Sequence, residues 1–269
     1  MVLVLLDHPD VAGLTLAAAR NLADLMGSAR INVIAIRMPP ESTILPTEEI
    51  LTRHQVAAIR DREGARVSAL RRSFDDWAVT ARAPGVMVDW ADLDGLAAPL
   101  VTAWGQRADF LVFGPQMGRG GGDDRLELRA GLFATDRPVL VVPPGPGLPF
   151  GERVAIAWRD DKRTVRSVLA AVRLLSKARQ VQVLVGVRSG DPEPRLPAIL
   201  AEHDIAATLH VLPIGPGIFG AELLAQAHAL DADLLVMGAY SHSPWREAVL
   251  GGVTRYMLAH ADLPILMRH

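Results

Sequence analysis

The stretch from Met237 to Arg255 gathers the residue types best suited to hold an anion. Gly238 closes a short apolar run, Ser241 and His242 follow, and Gly251-Gly252-Val253-Thr254 opens a helical pattern. Glycines leave backbone N–H groups uncovered, and at a helix N-terminus such groups can cradle phosphate oxygens. Plainer readings exist for the same residues: a tight turn after a strand, and close helix–sheet packing at Gly251-Gly252. Arg246 could reach a phosphate or stand in water at a helix entry.

Covalent and metal chemistry find less support. A nucleophile elbow around Ser241 needs G-x-S-x-G, but positions 239 and 243 are Ala and Ser. The eight histidines contain no H-E-x-x-H, and His260 reads as a cap of the last helix. There is no cysteine, which excludes thiolate catalysis, disulfides and Cys-held metal centres. No residue set forms an identifiable catalyst. Slow hydrolysis of a bound ligand would be the most to expect, and no general base can be named for it.

Composition narrows the class further. Half of the 269 residues are hydrophobic and 22% are charged, which fits packed domains and excludes a disordered chain. The net charge of -2 gives no broad field for a nucleic-acid backbone or an anionic membrane. No apolar run approaches membrane-spanning length. Met1 to Leu6 is apolar only as far as Asp7 and lacks the basic start of a signal peptide. The expectation is a cytoplasmic protein.

Self-comparison organises the chain. Ala108-Asp109-Phe110-Leu111-Val112-Phe113-Gly114 matches Ala232-Asp233-Leu234-Leu235-Val236-Met237-Gly238 at an offset of 124. Asp136-Arg137-Pro138-Val139-Leu140 matches Asp262-Leu263-Pro264-Ile265-Leu266 at 126. Such near-equal offsets indicate a duplication. The opening strands, Val2–Leu6 and Val154–Trp158, are offset by 152, so the first half holds roughly 26–28 extra residues. Thr47 to Val79 can supply them: Val56, Ile59, Val67, Leu70, Phe74 and Trp77 recur at helical spacing among charges, predicting one long amphipathic helix. Residues 143–151, rich in Pro and Gly, read as a linker between domains 1–143 and 152–269.

Each half alternates short apolar runs with helical patterns. The second half predicts strands at 154–158, 181–187, 208–213, 233–237 and 264–267, with helices near 161–176, 191–204, 217–231 and 249–261. The first predicts strands at 2–6, 31–36, 86–90, 109–113 and 138–142. Continuous apolar strands imply parallel sheets covered on both faces. The fold class is therefore α/β: two tandem doubly wound, Rossmann-like domains with mainly parallel five-stranded sheets. Ligands of such sheets lie beyond the carboxyl ends of the strands.

At this loop the sequence resembles the universal stress protein family, whose nucleotide-binding members carry G-x2-G-x9-G-[S/T]. Gly238 and Gly251 keep that spacing, Ser241 stands at the second glycine, and Gly252 replaces the hydroxyl residue with Thr254 two positions on. The stretch from Gly252 to Leu266 is also family-like. The resemblance covers the chain as a tandem pair, more closely in the second half. It implies an adenine contact just after the first strand, where Arg159 and then Asp160 stand, and another near Val187. Met237, Gly238, Ser241, His242, Gly251, Gly252, Val253 and Thr254 would form the phosphate side. In the first half Asp7 holds the adenine-facing position or caps a helix, and the cap reading applies more strongly to Asp160. Its loop, Gly114 to Gly122, has the wrong spacing, with Leu126 and Glu127 where the Gly pair should be.

The resemblance implies binding or sensing of adenine nucleotide, ATP with Mg2+ only when ATP is bound, in stress response. It also implies an internal pseudo-dimer in which Val139–Val142 pairs with Ile265–Met267; a further homodimer is left open. An interaction protein that works through protein contacts without nucleotide is the alternative. A third reading is a small-molecule sensor in the first half, with the long helix as its lid.

Overall fold

The computed structural model describes residues 1–43, 52–81, 85–115, 123–147, 149–239 and 252–269. The chain divides into two compact units, Met1–Arg137 and Pro138–His269. No helix among the described residues is long and apolar enough to cross a membrane.

In chain order the first unit contains β1 (Val2–Leu6), α1 (Pro9–Met26), β2 (Arg30–Arg37), α2 (Arg53–Ala81), β3 (Met87–Asp94), α3 (Ala97–Gly105), β4 (Phe110–Phe113) and α4 (Asp123–Ala134). The four strands among its described residues are all parallel, in the order β3-β2-β1-β4. β1, Val-Leu-Val-Leu-Leu, is buried along its whole length, as a central strand covered on both faces must be. β3 is the edge, and its alternating burial shows one covered side. α1 starts with Pro at its first turn and ends at Gly27 in the left-handed conformation, φ 65°.

The predicted long helix is α2, with Val67, Leu70, Phe74, Ala78 and Ala81 as its buried stripe. Val56, Ile59 and Trp77, expected on the same face, are only half-buried. Its start is set by a capping box that the periodicity did not reveal. The Thr52 amide donates to Gln55 Oε1 at 2.8 Å and the Gln55 amide to Thr52 Oγ1 at 3.3 Å. Residues 47–51 of the expected helix lie outside the described residues.

The second unit contains β5 (Val139–Val141), β6 (Arg153–Trp158), α5 (Lys162–Leu175), β7 (Gln180–Val187), α6 (Ala198–Glu202), β8 (Thr208–Pro213), α7 (Phe219–Ala229), β9 (Leu234–Gly238), α8 (Gly252–His260) and β10 (Ile265–Arg268). Its sheet runs β5-β10-β9-β6-β7-β8, parallel except for β5. The expected pairing of the two final strands is present: Val141 faces Ile265 and Val139 faces Met267, antiparallel. The helix expected over 191–204 shrinks to Ala198–Glu202. Pro192, Pro194 and Pro197 hold the residues before them away from helical angles.

The two units repeat one register. Val2 pairs with Ile31 and Phe110, and Val154 pairs with Val181 and Leu234. This makes Asp7 the counterpart of Arg159, Ile36 of Gly186, Met38 of Arg188, and Gly114 of Gly238.

Candidate functional site

At the carboxyl ends of β6, β7 and β9 the second unit holds a cavity of about 410 Å³. That lies within the roughly 300–1,000 Å³ typical of small-molecule sites. Its apolar wall includes Leu184, Ile214, Phe219 and Leu223, and its rim carries Arg159, Arg163 and Arg188. The N-terminal residues of two helices, α5 through Arg163 and Thr164 and α8 through Gly252 to Thr254, also line it. Helix N-termini and guanidinium groups both favour negative charge.

Sequence patterns explain how each wall is placed. Asp161 caps α5, its Oδ1 accepting from the amides of Arg163 at 3.0 Å and Thr164 at 2.9 Å. Gly238 ends β9 beneath that helix start; a Cβ there would lie 2.9 Å from Thr164 Oγ1 and 3.0 Å from its amide nitrogen. Gly186 leaves room for Phe219, whose Cζ would meet an added Cβ at 2.5 Å. Gly252 is different: no described residue lies within 4 Å of the Cβ position, so their packing does not demand glycine there.

Of the residues singled out in the sequence, Met237, Gly238, Gly252, Val253 and Thr254 line the cavity together. Ser241, His242 and Gly251 lie outside the described residues, as does Arg246. Asp160 and Val187 are not among the lining residues; their neighbours Arg159, Asp161, Gly186 and Arg188 are. Asp160 is exposed, and the helix cap falls to Asp161 instead. Arg163, Arg188 and Phe219 were not anticipated. A basic residue after each of the first two strands was the available signal. His260 does cap α8, its Nδ1 lying 2.9 Å from the Tyr256 carbonyl oxygen. Among the described residues no group of three His, Asp or Glu side chains is placed to hold a metal ion.

Among the described residues, the matching place in the first unit is narrower. A cavity of about 20 Å³, room for a single water, is lined by residues including Asp7, His8, Thr15, Gly114 and Glu127. Asp7 caps nothing: the α1 cap position is His8, without a side-chain bond to the helix. The Asp7 carboxylate instead faces His8 Nε2 at 3.2 Å and Arg66 Nη1 at 3.8 Å. Arg66 and Glu63 of α2 reach across the strand ends. Burial acts to raise the pKa of Glu63, but the hydrogen bonds and charge of Arg66 and the Met38 amide outweigh it, and the net shift is downward.

Residues 216–269 match the model of the universal stress protein family, which places the family's sequence pattern on the segment from α7 through β10. Over the full length the likeness is one of fold. A universal stress protein from Archaeoglobus fulgidus DSM 4304 superposes with a TM-score of 0.72 at 13% identity, covering 99% of this chain and 95% of that one. A functionally unknown protein from Pseudomonas aeruginosa PAO1 gives 0.63 at 16% identity, covering 99% and 91%. No curated protein matches the sequence. The resemblance to universal stress proteins and the tandem α/β architecture expected from the sequence are both borne out.

Proposed function

We propose that the second unit binds adenine nucleotide, ATP in the first instance, and that the protein acts in the cytoplasm as a nucleotide-responsive stress protein. The observation that carries this reading is the cavity of about 410 Å³ with an apolar wall at one side and three arginines at its rim. A nucleotide has that division: a flat base that gains from leaving water, and phosphates that seek cations and uncovered amides. Leu184, Ile214 and Phe219 would receive the base. Gly252 to Thr254 and the arginines would receive the phosphates. The match of residues 216–269 to the family supports the assignment, because that segment supplies α8. Mg2+ would enter with the phosphates, neutralising charge that the arginines leave over.

The alternative, an interaction protein without nucleotide, is favoured by one observation. Two polar groups at the strand ends are already engaged: Asp161 caps α5, and the Arg188 amide donates to Asp191 Oδ2 at 2.7 Å.

Calorimetric titration with ATP separates the two. Under the nucleotide reading the dissociation constant is about 100 μM or tighter, which corresponds to roughly 5–6 kcal/mol. Gly252→Glu is the control. An acid in the first turn suits the helix dipole and keeps the fold, yet it opposes a phosphate at the same place. No heat and no melting shift at millimolar ATP would leave the interaction reading standing.

A further inference from the structure

We propose that the strip of the second unit between α5 and α6 docks an amphipathic helix of a partner protein, one whose apolar stripe is bordered by acidic residues. The inference is independent of nucleotide binding.

The first unit shows how the same face is closed. There α2 runs for 29 residues between β2 and β3 and packs along α1, with Arg20 Nη1 donating to the Ala81 carbonyl. At the same topological place the second unit has α6, 5 residues long, which among the described residues scarcely meets α5. Thr15 and Thr164 each sit against the glycine that ends the fourth strand of their half, and this aligns α1 with α5. Leu16, Arg20 and Ala23 then correspond to Val165, Leu169 and Val172, and by the strand register Ala35 corresponds to Val185. Leu16, Ala23 and Ala35 are fully buried. Val165, Val172 and Val185 are only half-buried, and Leu169 stands 47% exposed where the first unit has Arg20. Val211, the partner of Val185 in the edge strand, is 51% exposed. The Arg268 amide donates to Ser167 Oγ at 3.1 Å, which holds one flank of α5 over β10. Helical geometry turns Val165, Leu169 and Val172 to the opposite flank, toward β7 and α6. These apolar residues form one strip in the seat that the first unit fills with a helix.

Two observations indicate the occupant. The counterpart seat holds an amphipathic helix through Val67, Leu70 and Phe74, and laying an apolar stripe into such a strip is a recurring mode of helix recognition. Charge sets the rest. Every charged side chain of α5 is basic, and Arg166 and Arg173 lie about one turn before and after Leu169 at the exposed side of the helix. A partner helix with acids beside its apolar stripe complements that bank. A second copy of this chain does not, because a two-fold axis at Leu169 would set Arg166 and Arg173 of one protomer against those of its partner.

The probe is a fluorescein-labelled peptide of residues 61–81, which contains the buried stripe of α2, made acidic by Arg62→Glu, Arg71→Glu and Arg72→Glu. It would be titrated into the full-length protein and followed by anisotropy. Saturable binding is expected, about tenfold tighter than for the unaltered peptide and weakened by added salt. Leu169→Glu should weaken it by at least about tenfold without lowering the urea midpoint, since Leu169 lies at the surface. Leu169→Ala, which only shortens the side chain, should move binding the same way and carries the test if the Glu variant does not fold. The proposal is overturned by a lack of saturation below about 1 mM, by equal binding of the two peptides, or by binding that the Leu169 variants leave unchanged. Self-association of the free protein that Leu169→Glu abolishes would assign the strip to a second copy, and that result overturns the proposal as well.

Discussion

Thr164 and Gly238 are in contact across the start of α5 and the end of β9, and the closeness depends on glycine lacking a side chain. The first unit repeats the arrangement: a Cβ on Gly114 would collide with Thr15 Oγ1. Thr15 and Thr164 are both buried. A glycine ending the fourth strand of each half is thus required by helix–strand packing, whether or not a ligand is present.

Gly238→Ala is therefore expected to destabilise the protein by about 1–3 kcal/mol, the usual range for overpacking. Gly252→Ala, whose Cβ would meet none of the described residues, should leave stability unchanged or raise it slightly. Urea melts of the two variants make the comparison, and equal losses at both positions would contradict the packing argument.

Asp161 and Asp160 are adjacent acids with unequal work. Asp161→Ala should cost about 0.5–2 kcal/mol, the loss of a helix N-cap. Asp160→Ala, at an exposed position, should stay within about 0.5 kcal/mol of the parent. Thermal unfolding distinguishes them.

Glu63 predicts a pH dependence. Its folded pKa lies below the ordinary 4.5, so ionisation favours the folded state. The stabilising contribution is complete above the unfolded value and disappears as pH falls through the folded value. The melting temperatures of the parent and Glu63→Gln should differ at pH 7 and converge as the pH is lowered below about 4. A difference that persists unchanged in acid would exclude ionisation of Glu63 as its source.

Arg188 bears on the nucleotide reading. Arg188→Ala is expected to weaken ATP binding by about tenfold, or 1.4 kcal/mol, with a smaller effect on adenosine. The ATP affinity of the parent should fall with added salt more steeply than that of the variant, because Arg188 is exposed. Equal losses for ATP and adenosine would assign Arg188 to the base rather than the phosphates.

Much of this architecture was legible because duplication and periodicity are long-range signals. The offset between Gly114 and Gly238 survives as register in the structure, and β8 occupies the predicted Thr208–Pro213. Local chemistry was harder to read. Whether Asp160 or Asp161 caps α5 turns on a single residue, and it is decided by which carboxylate can reach the amides of Arg163 and Thr164. The bonds from Arg66 to Asp7 and Ile36 span sequence separations of 59 and 30 residues, and nothing in the helical spacing of α2 announces them. A charged residue on a predicted solvent face gives no hint that it turns inward. The arginine rim was missed for a related reason: Arg159, Arg163 and Arg188 come from separate segments and meet only when the strand ends align.

The capping box and the Arg66 bonds together carry a consequence for the history of the first half. An added segment such as the one that supplies most of the 29-residue α2 is ordinarily something a protein can shed. Here its removal would strip partners from the Asp7 and Ile36 carbonyls and from the Met38 amide, and it would take away Leu70 and Phe74 and leave the surface they cover in water. The segment is thus no longer separable from the first half, and change is tolerated at its outer surface rather than along its buried stripe.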